Sequence, residues 1–184
     1  MIKKIKVFDR ATIDACILNK AFPYKYWYFI SIYGDDGCLV NSKTSDILNG
    51  LGCVKSASLL FWDITDKSYN EIKEKYPNSE KAKSLVLFNN KHAKQIIKLI
   101  DLAQKDTNDS ALVVHCAAGI SRSGAVATFA CDYCKLDYAE FLKDNPCLYP
   151  NQFVLRTLHR ISGMTPIGEH DGIDHRYDHT SSYF

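Results

Sequence analysis

No apolar run in this chain of 184 residues approaches the roughly 18 needed to cross a bilayer as a helix. The N-terminal "MIKKIKVFDR" has basic residues but neither a long apolar core nor a small-residue cleavage site, so it does not read as a secretory signal. An excess of one charge is lacking too: 23 Lys and Arg stand against 21 Asp and Glu, a formal net charge of +2. That balance removes any global argument for a nucleic-acid or membrane partner. The lysine groups (Lys3, Lys4 and Lys6; Lys73, Lys75, Lys81 and Lys83) read as solvated faces. There is no internal repeat. The seven cysteines are odd in number and irregular in spacing, and no second pair accompanies Cys131 and Cys134 of "CDYC". A zinc site is thereby disfavoured, and reduced thiols in a cytoplasmic protein are the expectation.

What the chain does have is ordinary globular material, 46% hydrophobic and 24% charged, enough for one domain with a buried core. "IKKIKVFD" reads as a short strand. "RATIDACILNKA" follows at helical spacing through Ile13, Ile17 and Leu18, and "YKYWYFISIYG" is a buried strand stopped by Gly34. "DDGCLVNSKTSDILNGLG" is crowded with turn formers and is expected to loop across the surface. "SASLLFWDI" reads as another strand, and the lysine-rich residues 66–87 as a surface excursion with some helix. "NNKHAKQIIKLIDLAQ" predicts a helix capped by Asn89 or Asn90, with Ile96, Ile97, Ile100 and Leu102 on one face.

"ALVVHC" is a short continuous apolar run, as in a central parallel strand. "SGAVATFACDYCKL" then resumes as a helix of small residues, and "YAEFLKD" and "NQFVLRTLHRIS" predict two more, with Pro146 and Pro150 marking breaks. This alternation predicts an α/β fold: a single domain over residues 1–165, with a mostly parallel central sheet flanked by helices. The polar tail, residues 166–184, carries His170, His175 and His179 at spacings too irregular for a metal site, and is expected to be loosely packed or disordered.

The stretch "VVHCAAGISRSG" carries the chemistry. A loop between a buried strand and a helix N-terminus aims backbone N–H groups at one point, with the positive end of the helix dipole behind them. Such a place suits a phosphate-like dianion. Small residues let the backbone wrap closely, and Gly119 tolerates a positive φ. Arg122 can add two parallel hydrogen bonds to phosphate oxygens, a geometry lysine does not match. Cys116 at the base of the cradle lies in a field that favours the thiolate, a nucleophile towards phosphorus. Ser123 can donate to the sulfur and make it a better leaving group in the second step. His115 is expected to orient the loop.

The pattern H-C-x-x-G-x-x-R-S in "HCAAGISRSG" resembles the signature of the cysteine-based protein tyrosine phosphatases, and every fixed position matches. The position of the loop, around residue 115, sets the chain apart from low-molecular-weight phosphatases and arsenate reductases, which carry theirs near the N-terminus. The chain is more similar to the small dual-specificity-like group, including its bacterial and phage-type members. The likeness spans roughly residues 2–163 and is strong over 113–124. It implies a dual-specificity-phosphatase-like fold, a cysteinyl-phosphate intermediate, no metal or other cofactor, and a phosphate held by Ala117, Ala118, Gly119, Ile120, Ser121 and Arg122.

The reaction also needs an acid for the leaving oxygen and a base for water. In this superfamily an aspartate on an upstream loop serves both steps. Asp63 and Asp66 of "LLFWDITD" are the candidates. Asp63 is favoured because it follows the apolar strand and Trp62, and because the segment resembles the "F-D-D-I" stretch of the small bacterial proteins. "YPNQFVLRTLHRISG" resembles their closing Pro-Asn helix. Asn151 or Gln152 is a candidate for placing water, with helix capping as the plainer role.

For substrate, the resemblance implies phosphotyrosine, with phosphoserine and phosphothreonine if the cleft is shallow, and hence a phosphorylated protein partner. The loop carries Ala117, Ala118 and Ile120 where phosphoinositide-directed relatives tend to place lysines, and no basic track suggests an RNA 5′ end. The other readings are a phosphate-binding module without turnover and a phosphatase of RNA ends or phospholipids.

Overall fold

A continuous apolar strand must be covered on both faces, and this requirement sets the architecture. The computed structural model describes residues 1–34 and 37–164. Its elements run β1 (Ile2–Phe8), α1 (Arg10–Leu18), β2 (Trp27–Tyr33), α2 (Ser42–Gly50), β3 (Cys53–Leu60) and α3 (Asp66–Lys75). They continue with α4 (Glu80–Ser84), α5 (Asn90–Lys105), β4 (Ser110–His115), α6 (Arg122–Cys134), α7 (Tyr138–Asp144) and α8 (Gln152–Ser162). The strand order is β1-β4-β2-β3 and every pairing is parallel. All four carboxyl ends therefore lie along one edge, the edge at which such sheets bind ligands.

The period of two along each strand sorts the core. Trp27, Phe29, Ala111 and Val113 join Ile13 and Ile17 of α1 and Leu48 of α2 on one face. Tyr28, Ile30, Leu112 and Val114 join Ile96 and Ile100 of α5, Val126 and Phe129 of α6, and Leu158 of α8 on the other. Helix α6 is deeply covered, with Arg122 through Cys131 all buried. Its small residues (Gly124, Ala125, Ala127, Ala130) allow that close approach.

Several expected elements differ in the structure. Residues 35–52 are not only surface loop: α2 forms within them. Asn41 accepts from Thr44 N–H at 3.0 Å and Thr44 Oγ1 accepts from Asn41 N–H at 3.4 Å, a capping box that nucleates the helix, while Leu48 buries its inner face. The turn formers there are cap formers. Strand β3 spans Cys53–Leu60 instead of reaching Ile64. Phe61, Trp62 and Ile64 owe their apolar character to packing beyond the sheet, the last two against Leu85. On α5 the inner stripe is Ala93, Ile96, Leu99, Ile100 and Ala103, and Leu102 is 45% exposed, because helical rotation carries it off that stripe. Leu18 likewise points outward.

The expected polar tail lies outside the described residues. No helix among the described residues is long and apolar enough to cross a membrane, and no group of three or more His, Cys, Asp or Glu among them could hold a metal. All seven cysteines are free thiols. Burial pushes Cys53 and Cys131 up to about 12 and Cys134 to about 11.

His92 is the third residue of α5, where its Nδ1 accepts the backbone N–H of Asn89 at 3.3 Å. Its ring stacks on Phe61 and leans on Phe88, and burial lowers its pKa below the ordinary 6.5. The unfolded chain thus takes up this proton at a higher pH than the folded one. The His92 contribution to stability should be intact above pH 6.5 and lost as the pH falls through the lower folded value. Denaturant titrations between pH 7.5 and 5 should show a smaller loss for His92→Gln, whose neutral side chain still serves the capping box.

Candidate active site

Strand β4 lies between β1 and β2, and its alternation carries on into the loop that follows. Cys116, two residues after Val114, faces the same side, packs in the same core cluster and is 2% exposed. The loop is tied to its neighbours through its carbonyls. Ala117 C=O accepts from Arg10 N–H at 3.0 Å, Ile120 C=O from Tyr149 N–H at 3.2 Å, and Ser121 C=O from Asn151 N–H at 3.2 Å. In a trans peptide the next N–H points the opposite way, so the amides of Ala118, Ser121 and Arg122 are turned away from these partners. Ser121 occupies the N-cap of α6 and makes no side-chain capping bond. The first N–H groups of a 13-residue helix are thus not taken up by the N-cap side chain, and the helix dipole lies behind them. Ala117, Ala118 and Ile120 are exposed at the lip.

Beneath the loop, Cys116 Sγ and Ser123 Oγ are 3.0 Å apart, both buried. Arg122 is only 8% exposed. Its Nη1 donates to Phe61 C=O at 3.1 Å, and its buried Nε has no hydrogen-bond partner among the described residues. A buried cationic donor without an acceptor is costly; here it lies in the side chain expected to grip phosphate, and an oxyanion would satisfy it. His115 is fully buried, with Nε2 2.8 Å from Ser31 Oγ and its ring stacked on Phe29 at 5.4 Å. These contacts hold it on the far side of the strand from Cys116, so it braces the loop from behind.

Of the two candidate acids, the structure brings Asp63 to the loop. Ser121 Oγ donates to Asp63 Oδ1 at 2.7 Å, and Asn151 Nδ2 donates to the same oxygen at 2.8 Å. The backbone at this point is anchored by the Arg122 bond to Phe61 C=O and by Trp62 N–H donating to Val86 C=O at 2.9 Å. Asp66 is exposed in the first turn of α3. Asn151 does cap α8, through Oδ1 to Val154 N–H at 3.1 Å, while its other end reaches Asp63. Gln152 Nε2 turns back to Pro150 C=O at 3.2 Å. The link from Asn151 to Asp63 spans 88 positions and had no local signal; only the "PN" before an amphipathic helix marked Asn151 at all.

Gly119 shows how closely the loop is packed. Its φ is +69°, and a Cβ there would come 2.6 Å from Asp9 N and 2.8 Å from Phe8 C, both backbone atoms at the end of β1. Gly119→Ala should therefore destabilise the fold by about 1–3 kcal/mol and displace the loop. Chemical denaturation checks the first effect, and loss of affinity for inorganic phosphate, measured calorimetrically, checks the second.

The protein-tyrosine phosphatase family model matches residues 87–148, from the end of the α4–α5 connection to just past α7. A human tyrosine phosphatase-like serine/threonine/tyrosine-interacting protein aligns at 12% identity and TM-score 0.38, over 84% of this chain and 85% of its own. Tk-PTP in its active form aligns at 13% and 0.43, over 88% and 91%. PTPMT1 in complex with PI(5)P aligns at 11% and 0.44, over 87% and 90%. Likenesses this weak carry no inference about activity. Among curated proteins nothing matches. The stretch similar to the protein-tyrosine phosphatases, residues 87–148, holds α5, β4, the Cys116 loop, α6 and α7.

Proposed function

We propose that the chain hydrolyses phosphomonoesters of proteins, phosphotyrosine first and phosphoserine and phosphothreonine with it, through a phosphate covalently held on Cys116. The observation that carries this reading is the half-used guanidinium of Arg122, at the end of the Cys116 loop: one nitrogen fixed to Phe61, and a buried Nε with no acceptor among the described residues. In the scheme, Arg122 and the loop amides hold the phosphate oxygens. The Cys116 sulfur attacks phosphorus from below, and Asp63 protonates the departing oxygen. Water then attacks the phosphocysteine with Asp63 as base, and Ser123 donates to the sulfur as it leaves. The guanidinium and the amides neutralise the phosphate, so the scheme calls for no metal.

The choice of aryl over inositol phosphates is supported by the lip of the loop. Ala117, Ala118 and Ile120 are uncharged, and Ile120 is 39% exposed, an apolar edge for a phenyl ring rather than for a second phosphate. A phosphorylated protein partner and a cytoplasmic, reducing setting go with this reading, since a sulfur nucleophile must stay reduced to react.

Hydrolysis of an aryl phosphate without added metal is the direct assay. Cys116→Ser should abolish turnover, Asp63→Asn should lower kcat by roughly 10²–10⁴-fold, and Arg122→Lys should raise KM and lower kcat together. Turnover that survives stoichiometric alkylation of Cys116 would sink the scheme. Tight retention of a phosphopeptide with no turnover would point to a binding module.

A further inference from the structure

Asn151 is engaged at both ends of its amide. Its Oδ1 accepts from Val154 N–H as the cap of α8, so the end facing Asp63 is the one that donates. Ser121 Oγ donates to the same oxygen, Asp63 Oδ1, and Asn151 N–H donates to Ser121 C=O. The three residues form a closed ring of hydrogen bonds with Asp63 Oδ1 as its common acceptor. A carboxyl oxygen that receives two donors cannot also carry the acid proton towards them.

Resting on the phosphatase reading above, we propose that Asn151 and Ser121 are positioning residues that hold Asp63 by Oδ1, leaving Oδ2 as the atom that gives and takes the proton. In the first step the Sγ–P bond forms and the bond from phosphorus to the ester oxygen breaks. The electron pair stays on that oxygen, which receives the proton from Asp63 Oδ2. In the second step water adds to phosphorus and its proton passes to Oδ2. The S–P bond breaks, its electron pair returns to Cys116, and inorganic phosphate leaves. Oδ1 is an acceptor in both protonation states of Asp63, so neither donor has to reorient between the two steps. The clamp also makes the acid part of the phosphate loop, because Ser121 sits next to Arg122.

A helix cap alone does not require this arrangement, since serine or aspartate caps as well as asparagine. Asn151→Ser therefore keeps the cap and removes only the donor to Asp63. Turnover is to be measured on two phosphate monoesters, one with an acidic phenol that leaves readily and one with an alkyl alcohol that needs protonation. Asn151→Ser, Ser121→Ala, Asp63→Ala and Asn151→Ser combined with Asp63→Ala are compared with the parent. The expected result is a kcat loss on the order of 10- to 100-fold on the alkyl ester for each positioning variant. The loss on the aryl ester should be only a few-fold, and Asn151→Ser should have no further effect once Asp63 is alanine.

Equal losses on both esters, or an Asn151→Ser effect that persists in the Asp63→Ala background, would show a merely structural role and overturn the proposal. If Asp63→Ala itself leaves alkyl-ester turnover unchanged, Asp63 is not the acid. The reading beneath then fails, and the positioning role falls with it. A normal Asp63→Ala loss with an inert Asn151→Ser refutes the positioning role alone.

Discussion

The buried guanidinium of Arg122 is the constraint on which the site depends. A cation at 8% exposure is costly where its donors are not met, and here Nη1 is met by Phe61 while Nε has no partner among the described residues. Nη1 on Phe61 C=O joins the start of α6 to the segment beyond β3, which bears Asp63. The Cys116 loop and the Asp63 loop come from strands that are not neighbours, since β2 separates β4 from β3. The bond across that gap makes one site of two carboxyl-end loops. The Arg122 Nε, without a partner among the described residues, suits an anion with oxygens in reach of a planar fork.

The parallel sheet supplies the rest. All strands deliver their carboxyl ends to one edge, and the period of two places Cys116 on the α5–α6 face while His115 turns to Ser31 and Phe29 on the other. The loop is then drawn outward through three carbonyls, by Arg10, Tyr149 and Asn151, which leaves amides turned inward without any side chain committed to the task. Elsewhere burial keeps Cys53, Cys131 and Cys134 protonated, so these thiols serve packing.

The parts of this arrangement that were legible in the sequence are the local ones. Strand β4, its loop and α6 are contiguous, and an apolar run, a glycine and a small-residue helix announce themselves within 25 residues or so. Helix α2 was hidden because Asn41 and Thr44, which build its capping box, are the same residue types that build turns. The choice between Asp63 and Asp66 stayed open because it depends on where β3 ends and on what lies across the site. The contacts of Asp63 with Ser121 and Asn151 join residues 58 and 88 positions apart, and no periodicity reports such a meeting. Leu102 on α5 shows a subtler limit: an apolar residue one position off the stripe looks like core in a composition window and is solvent-facing in the helix.

The central claim is that phosphate passes through a covalent bond to one sulfur. The most direct test is to quench the protein in acid during turnover of an aryl phosphate and locate added phosphoryl by mass spectrometry of the intact chain and its peptides. The account predicts a single phosphoryl group on the peptide containing Cys116, accumulating further in Asp63→Ala, where the second step lacks its base. Turnover with no phosphoryl on Cys116 at any quench time, or with phosphoryl on another residue, would contradict it.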